Sequence, residues 1–295
     1  MQSVSVGIPQ GSVLGPTLFA LYTSDLPSSV PSGETYMFAD DTTMYCVAEN
    51  GDQAIYQLNK ALKELYSWCL SNRLTPHLKK SEVMLLSKTN TVGPTPPVII
   101  GVCLVKLVNK SRLLGVTVDD RLTWSQHLSE VKKSFANKLN PLRKSKFLPK
   151  SVLEQFYFSV ILPSLTYGLV IWANGSNSEL FRSIDTLHGR AAKLIYNLGN
   201  DTSYEDALKI AKRHSLAYIY KIKLFKLMRN AYNDRLPVPL SDNIVTMRNT
   251  EYSLRRSENI AIPRFRSRYL EQSVSYRGAI LWNAIISRHP LNVGL

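Results

Sequence analysis

Two short stretches near the start of the chain decide the fold: residues 7–27 read GIPQGSVLGPTLFALYTSDLP, and residues 38–42 read FADDT. In the first stretch, loop glycines precede Pro16, and proline favours the first turn of a helix, so a loop should lead into a helix there. In the second, β-prone runs at 35–38 and 43–47 flank Ala39–Thr42, which predicts a hairpin with two carboxylates at its tip. The start of the chain therefore combines a glycine-containing loop, a helix and an acidic hairpin.

The two carboxylates at the predicted hairpin tip, Asp40 and Asp41, indicate a metal site. At a separation of ~4 Å and an effective dielectric constant of about 20, two carboxylates repel each other by roughly 4 kcal/mol. A Mg²⁺ ion reverses the sign of this energy, because it binds carboxylate oxygens and fills its remaining positions with water and phosphate. The alternative is a solvated β-turn, which is the commoner structure for an isolated pair of aspartates.

The loop before the first helix has the composition of a ligand-binding loop. Gly11 and Gly15 let the backbone approach a planar ligand closely, and Gln10 and Ser12 offer hydrogen bonds to a base or a phosphate. The same residues also suit an ordinary glycine turn before a helix. The loop alone therefore leaves ligand binding and simple turn formation as alternatives.

Hydrophobic periodicity predicts strands in the first part of the chain and helices in the rest, which is an α+β fold. The strand-like runs are residues 4–8, 82–86, 98–108 and 113–118. Apolar residues at three- and four-residue steps predict amphipathic helices over 52–70 and 216–232. Thr123–Gln126 has the form of a capping box and predicts a further helix start. Soft domain boundaries are expected near Arg121 and between residues 197 and 203.

The charge of the chain is strongly uneven. Of its 295 residues, 36 are Lys or Arg and 22 are Asp or Glu, for a net charge of +14. Residues 1–101 contain 6 basic and 8 acidic residues, whereas residues 102–295 contain 30 basic and 14 acidic ones. Such an excess attracts polyanions, and nucleic acid is a commoner partner of a basic domain than anionic membrane.

The remaining composition argues against a secreted, zinc-binding or membrane protein. The 3 cysteines and 5 histidines show neither CxxC spacing nor the intervals of a zinc site, so a reducing intracellular setting and no zinc are expected. No charged-then-apolar leader begins the chain, so no secretory signal is expected. Residues 155–178 carry no charge and approach the ~20 residues of a membrane span. However, Pro163 and Gly168 interrupt them, which favours two short buried helices broken near Pro163.

Taken in order, these motifs resemble the reverse-transcriptase domain of non-LTR retrotransposons, whose pattern is GxPQGSxLGPxLFxxYxxDL followed by FADD. Pro76 and His77 depart from the pattern, which usually carries an apolar residue and Asn there. Later blocks that resemble the same reading frames are Trp68, Asn72, Leu74 and Lys79–Glu82; Leu113–Val116; Leu122–Trp124 with His127; Leu162–Gly168 with Trp172; His188–Ala192; and Arg277 and Gly278 with Leu281–Asn283. The resemblance spans nearly the whole chain.

The resemblance implies an RNA-directed DNA polymerase that uses Mg²⁺, with Mn²⁺ as an alternative, in a two-metal nucleotidyl transfer. The positions that match the family's motifs are Asp40 and Asp41 for catalysis and metal binding, Gln10, Gly11, Ser12 and Lys80 for template and nucleotide, and Leu114 and Gly115 for the primer end. The implied partners are an RNA template, an RNA–DNA duplex and deoxynucleoside triphosphates, with no membrane.

The same resemblance divides the chain into an incomplete right-hand palm at 1–121, a helical thumb-like region at 122–200 and a basic helical region at 201–295. In this family a further aspartate lies on an earlier palm strand, upstream of the PQG loop, and the chain begins only a few residues before that loop. The fingers and this strand are therefore expected to be missing, and the chain to be inactive by itself. The alternatives are a nucleic-acid-binding remnant without catalysis and a membrane-associated protein that uses residues 155–178.

Overall fold

The computed structural model of the chain describes residues 11–87, 95–173, 178–242, 244, 259–264 and 268–287. Within them the chain forms two compact units, the first up to Ser111 and the second from Arg112 onward. Short strands and helices alternate in the first unit, whereas helices dominate the second. This mixture of strands followed by helices agrees with the predicted α+β class. The expected boundaries near residues 121 and 200 stay predictions.

The first unit is built from short elements around one long helix. Its elements are α1 (Gly15–Tyr22), α2 (Leu26–Ser29), β1 (Glu34–Phe38), β2 (Asp41–Tyr45), α3 (Gly51–Ser71), a 3₁₀ turn (Leu78–Lys80), β3 (Glu82–Val83), β4 (Ile99–Ile100), β5 (Cys103–Leu104) and β6 (Lys106–Leu107). Antiparallel pairing joins β1 to β2 and β4 to β5, and β3 runs parallel to β6. As predicted, Pro16 lies in the first turn of α1.

Helix α3 is the scaffold of the first unit. The side chain of Asn50 caps it by accepting a hydrogen bond from the backbone N–H of Gln53 at 2.9 Å, which satisfies one of the free donors of the first turn. Its apolar stripe matches the predicted one, with Ile55, Leu62 and Cys69 buried. One cluster on this helix packs against α2 and the β1–β2 hairpin, and a second packs against β4 and the 3₁₀ turn. The acidic β1–β2 hairpin and the 3₁₀ turn that carries Lys80 therefore both pack against α3.

The second unit begins within a hairpin and continues as helices. Strand β7 (Lys110–Leu113) spans the division between the units and pairs with β8 (Val116–Asp119). The helices that follow are α4 (Ser125–Lys144), α5 (Lys150–Phe156), α6 (Leu162–Thr166), α7 (Leu169–Trp172), α8 (Ser178–Tyr196), α9 (Tyr204–Ile210), α10 (Leu216–Tyr232), α11 (Val238–Ser241), α12 (Arg268–Glu271) and α13 (Val274–Ile286). The main core lies among β8, α4 and the helices α5 to α8, with Phe135, Ile161 and Trp172 at its centre. A smaller core joins α10 to α13 around Trp282, so the 216–232 stripe is core, as predicted.

Several of the predicted strands differ in the structure. The predicted strand at 82–86 is only two residues long, and the run at 98–108 is divided among β4, β5 and β6. Residues 113–118 are not one strand, because a turn at Leu114 and Gly115 separates β7 from β8. The strand predicted at 4–8 lies outside the described residues.

The capping box predicted at Thr123–Gln126 is wrong. The residue before α4 is Trp124, which has φ of 62° and makes no side-chain cap. Instead, the Asp119 carboxylate at the end of β8 accepts hydrogen bonds from the backbone N–H groups of Arg121, Thr123 and Trp124, at 2.8–3.2 Å. A carboxylate from the preceding strand thus orders the loop into the helix, and the Thr123 hydroxyl accepts the backbone N–H of Ser125, the first residue of α4, at 3.4 Å.

The described part of the uncharged segment 155–178, up to residue 173, is largely helical, but only one face of it is buried, and that face carries Tyr157, Ile161, Leu165, Leu169 and Trp172. The break in this segment is not where proline predicts it. Helix α5 continues through a π-helical turn (Tyr157–Ile161) into α6, and Pro163 lies in the first turn of α6. The chain breaks instead at Gly168, whose φ is 60°. Among the described residues, no helix combines the length and the apolar character needed to cross a bilayer.

Candidate active site

The tip of the β1–β2 hairpin carries both predicted catalytic aspartates. Phe38 pairs with Asp41, so Ala39 and Asp40 form the two-residue connection, and Ala39 has φ of 53°. The side chains of Asp40 and Asp41 are both exposed. The hairpin prediction is therefore confirmed, and both carboxylates are accessible to a ligand from solvent.

The two faces of this hairpin have different roles. Met37 and Met44 are half-buried and pack against the α3 cluster around Ala61 and Trp68, which anchors the hairpin. On the other face, the rings of Tyr36 and Tyr45 stack with their centroids 5.8 Å apart. A hydrogen bond with Tyr36, together with some burial, raises the pKa of Tyr45 above its usual value. The acidic tip is thus the end of a supported hairpin.

The donor set at the tip fits a hard divalent cation only in part. Two carboxylates supply oxygen ligands of the kind that Mg²⁺ prefers, and water or phosphate oxygens would have to fill its other positions. Within the described residues, no group of three or more His, Cys, Asp or Glu side chains lies together as a metal site would require. The described chain therefore offers the pair Asp40 and Asp41 without a third protein carboxylate beside it.

The residues predicted to bind template and nucleotide are partly within the described chain. Gln10 lies outside it. Gly11 has φ of 87°, and a Cβ placed there would have no atom within 4 Å, so its backbone borders open space. The carbonyl of Ser12 accepts the backbone N–H of Gly15 at 3.3 Å, which forms the turn into α1. This turn fits either role that the sequence left open.

Lys80 ends the 3₁₀ turn that follows α3, and its side chain is exposed. Leu78, at the start of this turn, packs into the cluster around Ile55 and Leu62. The backbone N–H of Lys80 donates to the carbonyl of His77 at 2.9 Å. The turn is thus fixed to α3 on one side and presents a free ammonium group on the other.

The predicted primer-contacting residues form the tight turn between β7 and β8. Leu114 has φ of 45° and Gly115 has φ of 83°, the pair of positive values that is typical of a two-residue type I′ hairpin turn. The hydroxyl of Tyr167 donates a hydrogen bond to the carbonyl of Leu114 at 2.6 Å. A side chain 53 residues further along the chain therefore fixes the tip of this turn.

A chain of contacts behind Tyr167 ties this turn to the core of the second unit. The indole N–H of Trp172 donates to the carbonyl of Tyr167 at 2.7 Å, and the His127 ring meets the Trp172 ring edge-on at 5.6 Å. His127 Nδ1 accepts the backbone N–H of Thr117 in β8 at 3.3 Å. Gly168 lets the chain turn beside Val116. Sequence reasoning gave Tyr167, Gly168 and Trp172 no role, although all three lie in blocks that carried the resemblance.

Two titratable groups at the base of the turn are shifted by their surroundings. Burial lowers the pKa of His127, the neighbouring Glu130 opposes this effect, and Arg112 adds to it. Hydrogen bonds from Gln126 and Thr117 lower the pKa of Glu130, and that from the Thr117 hydroxyl spans 2.7 Å. At neutral pH the His127 imidazole is therefore neutral and Glu130 is ionised.

Comparison with known proteins shows which family part of the chain matches. Residues 2–118 match the family described as "Reverse transcriptase (RNA-dependent DNA polymerase)". This segment belongs to the reverse transcriptase family. The match includes the loop before α1, the acidic hairpin, Lys80 and the β7–β8 turn, so every predicted site residue lies in the reverse-transcriptase segment.

Relatives extend the similarity beyond that segment. The RNA-directed DNA polymerase from mobile element jockey of Drosophila melanogaster is 28% identical over 193 residues, 61% of this chain and 21% of the relative. The probable RNA-directed DNA polymerase from transposon X-element of the same organism is 29% identical over 235 residues, 73% of this chain and 25% of the relative. The polymerase from transposon BS is 26% identical over 201 residues. These matches confirm the resemblance to the non-LTR reverse-transcriptase domain.

The chain spans only about a fifth to a quarter of the length of these curated relatives. No solved structure matches this chain.

Proposed function

We propose that this chain is the C-terminal part of the reverse transcriptase of a non-LTR retrotransposon, comprising an incomplete palm followed by a helical thumb-like region and a basic helical region. The observation that carries the proposal is the exposed Asp40–Asp41 tip of a supported hairpin, within the segment that belongs to the reverse transcriptase family. The proposed substrates are an RNA template and deoxynucleoside triphosphates, because the similar Drosophila proteins are named as RNA-directed DNA polymerases.

In this proposal Asp40 and Asp41 hold Mg²⁺, or Mn²⁺ in its place. Bound Mg²⁺ stabilises the charge that develops on phosphate oxygens during nucleotidyl transfer. The backbone at Gly11 and Ser12, together with Gln10, contacts template and incoming nucleotide, and the exposed ammonium of Lys80 binds a nucleotide phosphate. The support of the β1–β2 hairpin and of the Lys80 turn by α3 would keep these two segments in a fixed arrangement.

Leu114 and Gly115 hold the primer end in the proposed site. A turn tip suits this role because its backbone groups can approach a nucleic-acid strand without interference from large side chains. The Tyr167 hydrogen bond to Leu114 restricts the movement of the tip. The β7–β8 hairpin would therefore keep its position when the primer strand binds, rather than move with that strand.

The 295-residue polypeptide alone is proposed not to polymerise DNA. A two-metal transfer fixes two ions ~3.5–4 Å apart, which requires ligands that bridge them. The described residues place no third acidic side chain in a metal cluster with Asp40 and Asp41. Loss of the alignment of primer and nucleotide would raise the activation barrier by up to a further ~7–11 kcal/mol. Extension should then fall below detection while nucleic-acid binding persists.

The uneven charge of the chain supports nucleic-acid binding by the second half, because 30 of the 36 basic residues lie in residues 102–295. Contacts between these residues and phosphates release counterions, so the affinity should fall steeply as salt rises. The observation favours a nucleic-acid-binding protein even where catalysis is lost. The second candidate function is therefore a catalytically dead remnant that still binds RNA–DNA duplexes.

Two experiments on the full chain test these statements. In primer extension on poly(rA)·oligo(dT) with Mg²⁺ or Mn²⁺, no product is expected. Extension that Asp40→Ala abolishes would show that another carboxylate completes the site, and the inactivity proposal would fail. In the second, duplex affinity is measured with and without metal and the complementary deoxynucleotide. Tighter binding that requires Asp40, tested with Asp40→Asn, supports the polymerase site, whereas no effect of metal and nucleotide supports the remnant.

A further inference from the structure

A turn with a single exposed aromatic ring joins α4 to α5. The Phe147 side chain is 82% exposed and belongs to none of the apolar clusters formed by the described residues. The next residue, Leu148, packs against the main core, and its N–H donates to the carbonyl of Ser145 at 3.0 Å. Leu148 thus anchors the turn while Phe147 points to solvent, where an aromatic ring gains nothing for the fold.

The charge around this ring is of one sign. Between Glu130 and Glu154 the sequence contains seven basic residues and no acidic one. They are Lys132, Lys133, Lys138, Arg143, Lys144, Lys146 and Lys150. Among the described residues, the ion pairs formed within 4.0 Å involve none of these seven side chains. Lys150 lies over the Tyr196 ring, 3.7 Å from its centroid. The other six charges, which form no such ion pair or ring contact among the described residues, are available to an anionic ligand.

The exposed side of α4 continues this surface away from Phe147. Lys133, Asn137, Asn140 and Lys144 are all exposed, and their spacing of four, three and four residues places them on one face of the helix. At 1.5 Å per residue this row of hydrogen-bond donors is about 16 Å long. Its length and its chemistry suit an extended chain of phosphates rather than a single small anion.

We propose that the α4–α5 turn binds an unpaired segment of a nucleic-acid strand, with one base stacked on Phe147 and phosphates on Lys144, Lys146 and the α4 row. The inference rests on the proposed nucleic-acid binding of the second half and names the element and the ligand. Base–aromatic stacking is independent of sequence, because every base has a π-face. A helix that binds membranes presents a continuous apolar face, whereas here one ring is surrounded by cations. The chemistry therefore favours a nucleic acid over a lipid surface.

The test measures binding of the full chain to labelled single-stranded RNA and to a blunt RNA–DNA duplex by fluorescence anisotropy. Phe147→Ala should weaken single-strand binding about 5- to 150-fold, and should change duplex binding little. Phe147→Trp should retain the affinity, and its added tryptophan emission should be quenched when the strand binds. Because Phe147 is outside the core, circular dichroism should show that both variants fold.

The lysines are tested by the salt dependence of single-strand binding. Lys144→Ala combined with Lys146→Ala removes two phosphate contacts, so the slope of log affinity against log salt should fall by about 1.4. The matched control is Lys60→Ala with Lys63→Ala, which removes the same charge from two exposed lysines of α3 and should leave the slope unchanged. Equal effects of the two double variants would overturn the proposal, because only bulk charge would then matter.

The remaining outcomes are distinct. If the wild-type chain binds single strands but Phe147→Ala binds them equally well, the stacking site is refuted while the proposed function stands. If the wild-type chain binds neither nucleic acid, the proposed function itself fails. If Phe147→Ala instead reduces binding to vesicles of phosphatidylcholine and phosphatidylserine in equal parts, the turn is a membrane contact and the proposal is overturned.

Discussion

Replacing Gly168 by alanine tests how the second unit holds the β7–β8 turn. Gly168 has φ of 60°, where an L-residue costs roughly 1–2 kcal/mol relative to the right-handed region. A Cβ at this position would lie 3.1 Å from Val116 Cγ2, so β8 would have to move by a few tenths of an ångström. Lower entropy of the unfolded chain returns about 0.4–1 kcal/mol. We expect Gly168→Ala to lower the free energy of unfolding by about 1–2 kcal/mol once the Val116 contact is included.

The measurement is equilibrium unfolding in urea, followed by circular dichroism and by tryptophan fluorescence. For a unit of this size the melting temperature should fall by roughly 2–8 °C. Gly168→Asn is the matched control, because asparagine tolerates the left-handed region but brings the same Cβ towards Val116. The asparagine variant should therefore lose less stability than the alanine variant. A stability of Gly168→Ala equal to that of the wild-type chain, or equal losses in the two variants, would refute the argument from backbone strain.

Three further predictions follow from titratable groups. Burial lowers the pKa of His127 in the folded protein, so the unfolded chain binds a proton at this histidine more readily. The stability of the second unit should therefore fall as the pH drops below about 6.5, and urea titrations should show a flatter pH dependence for His127→Asn than for the exposed control His214→Asn. Burial raises the pKa of Tyr157 to about 12, so stability should be lost between about pH 10 and that value, and Tyr157→Phe should remove part of this loss in alkaline unfolding curves. Mn²⁺ alone should broaden nuclear magnetic resonance signals near Asp40 weakly, and a deoxynucleoside triphosphate should strengthen the effect because its phosphates supply missing ligands; equal broadening in Asp40→Asn would indicate a solvated turn.

Sequence patterns correctly predicted those elements that are determined by residues close together in the chain. The β-prone runs around Asp40 and Asp41 gave the hairpin, and the stripe from Ile55 to Cys69 gave α3. Both depend on periodicity or turn chemistry within a few residues. The strand predicted at 113–118 was wrong, because Leu114 is an unusual residue for a position with positive φ and gives no turn signal.

The cap of α4 and the break in segment 155–178 were missed for a related reason. A capping box needs Thr123 to be the residue directly before the helix, but the Asp119 carboxylate holds the backbone N–H groups of Thr123 and Trp124 in the loop, and α4 begins at Ser125. Proline predicts a break within a helix, but here the chain stays helical across Pro163, with a π-helical turn (Tyr157–Ile161) directly before α6. In both cases the sequence contained residues that can cap or break a helix, but contacts with the neighbouring elements determined where the helix began or broke.

The support of the β7–β8 turn could not be predicted from either local rule, because its residues are far apart in the chain. Leu114 and Tyr167 are separated by 53 residues, and no periodicity relates them. What the sequence did contain were blocks typical of the non-LTR family at both places. In the structure these blocks contact one another. A continuous path of contacts runs from the turn to the core through Tyr167, Gly168, Trp172 and His127. Sequence similarity that reaches past the reverse-transcriptase segment, to 73% of this chain in the X-element relative, is then expected. In the proposed function this turn holds a primer end, and a turn in that role needs support from the helices that follow it.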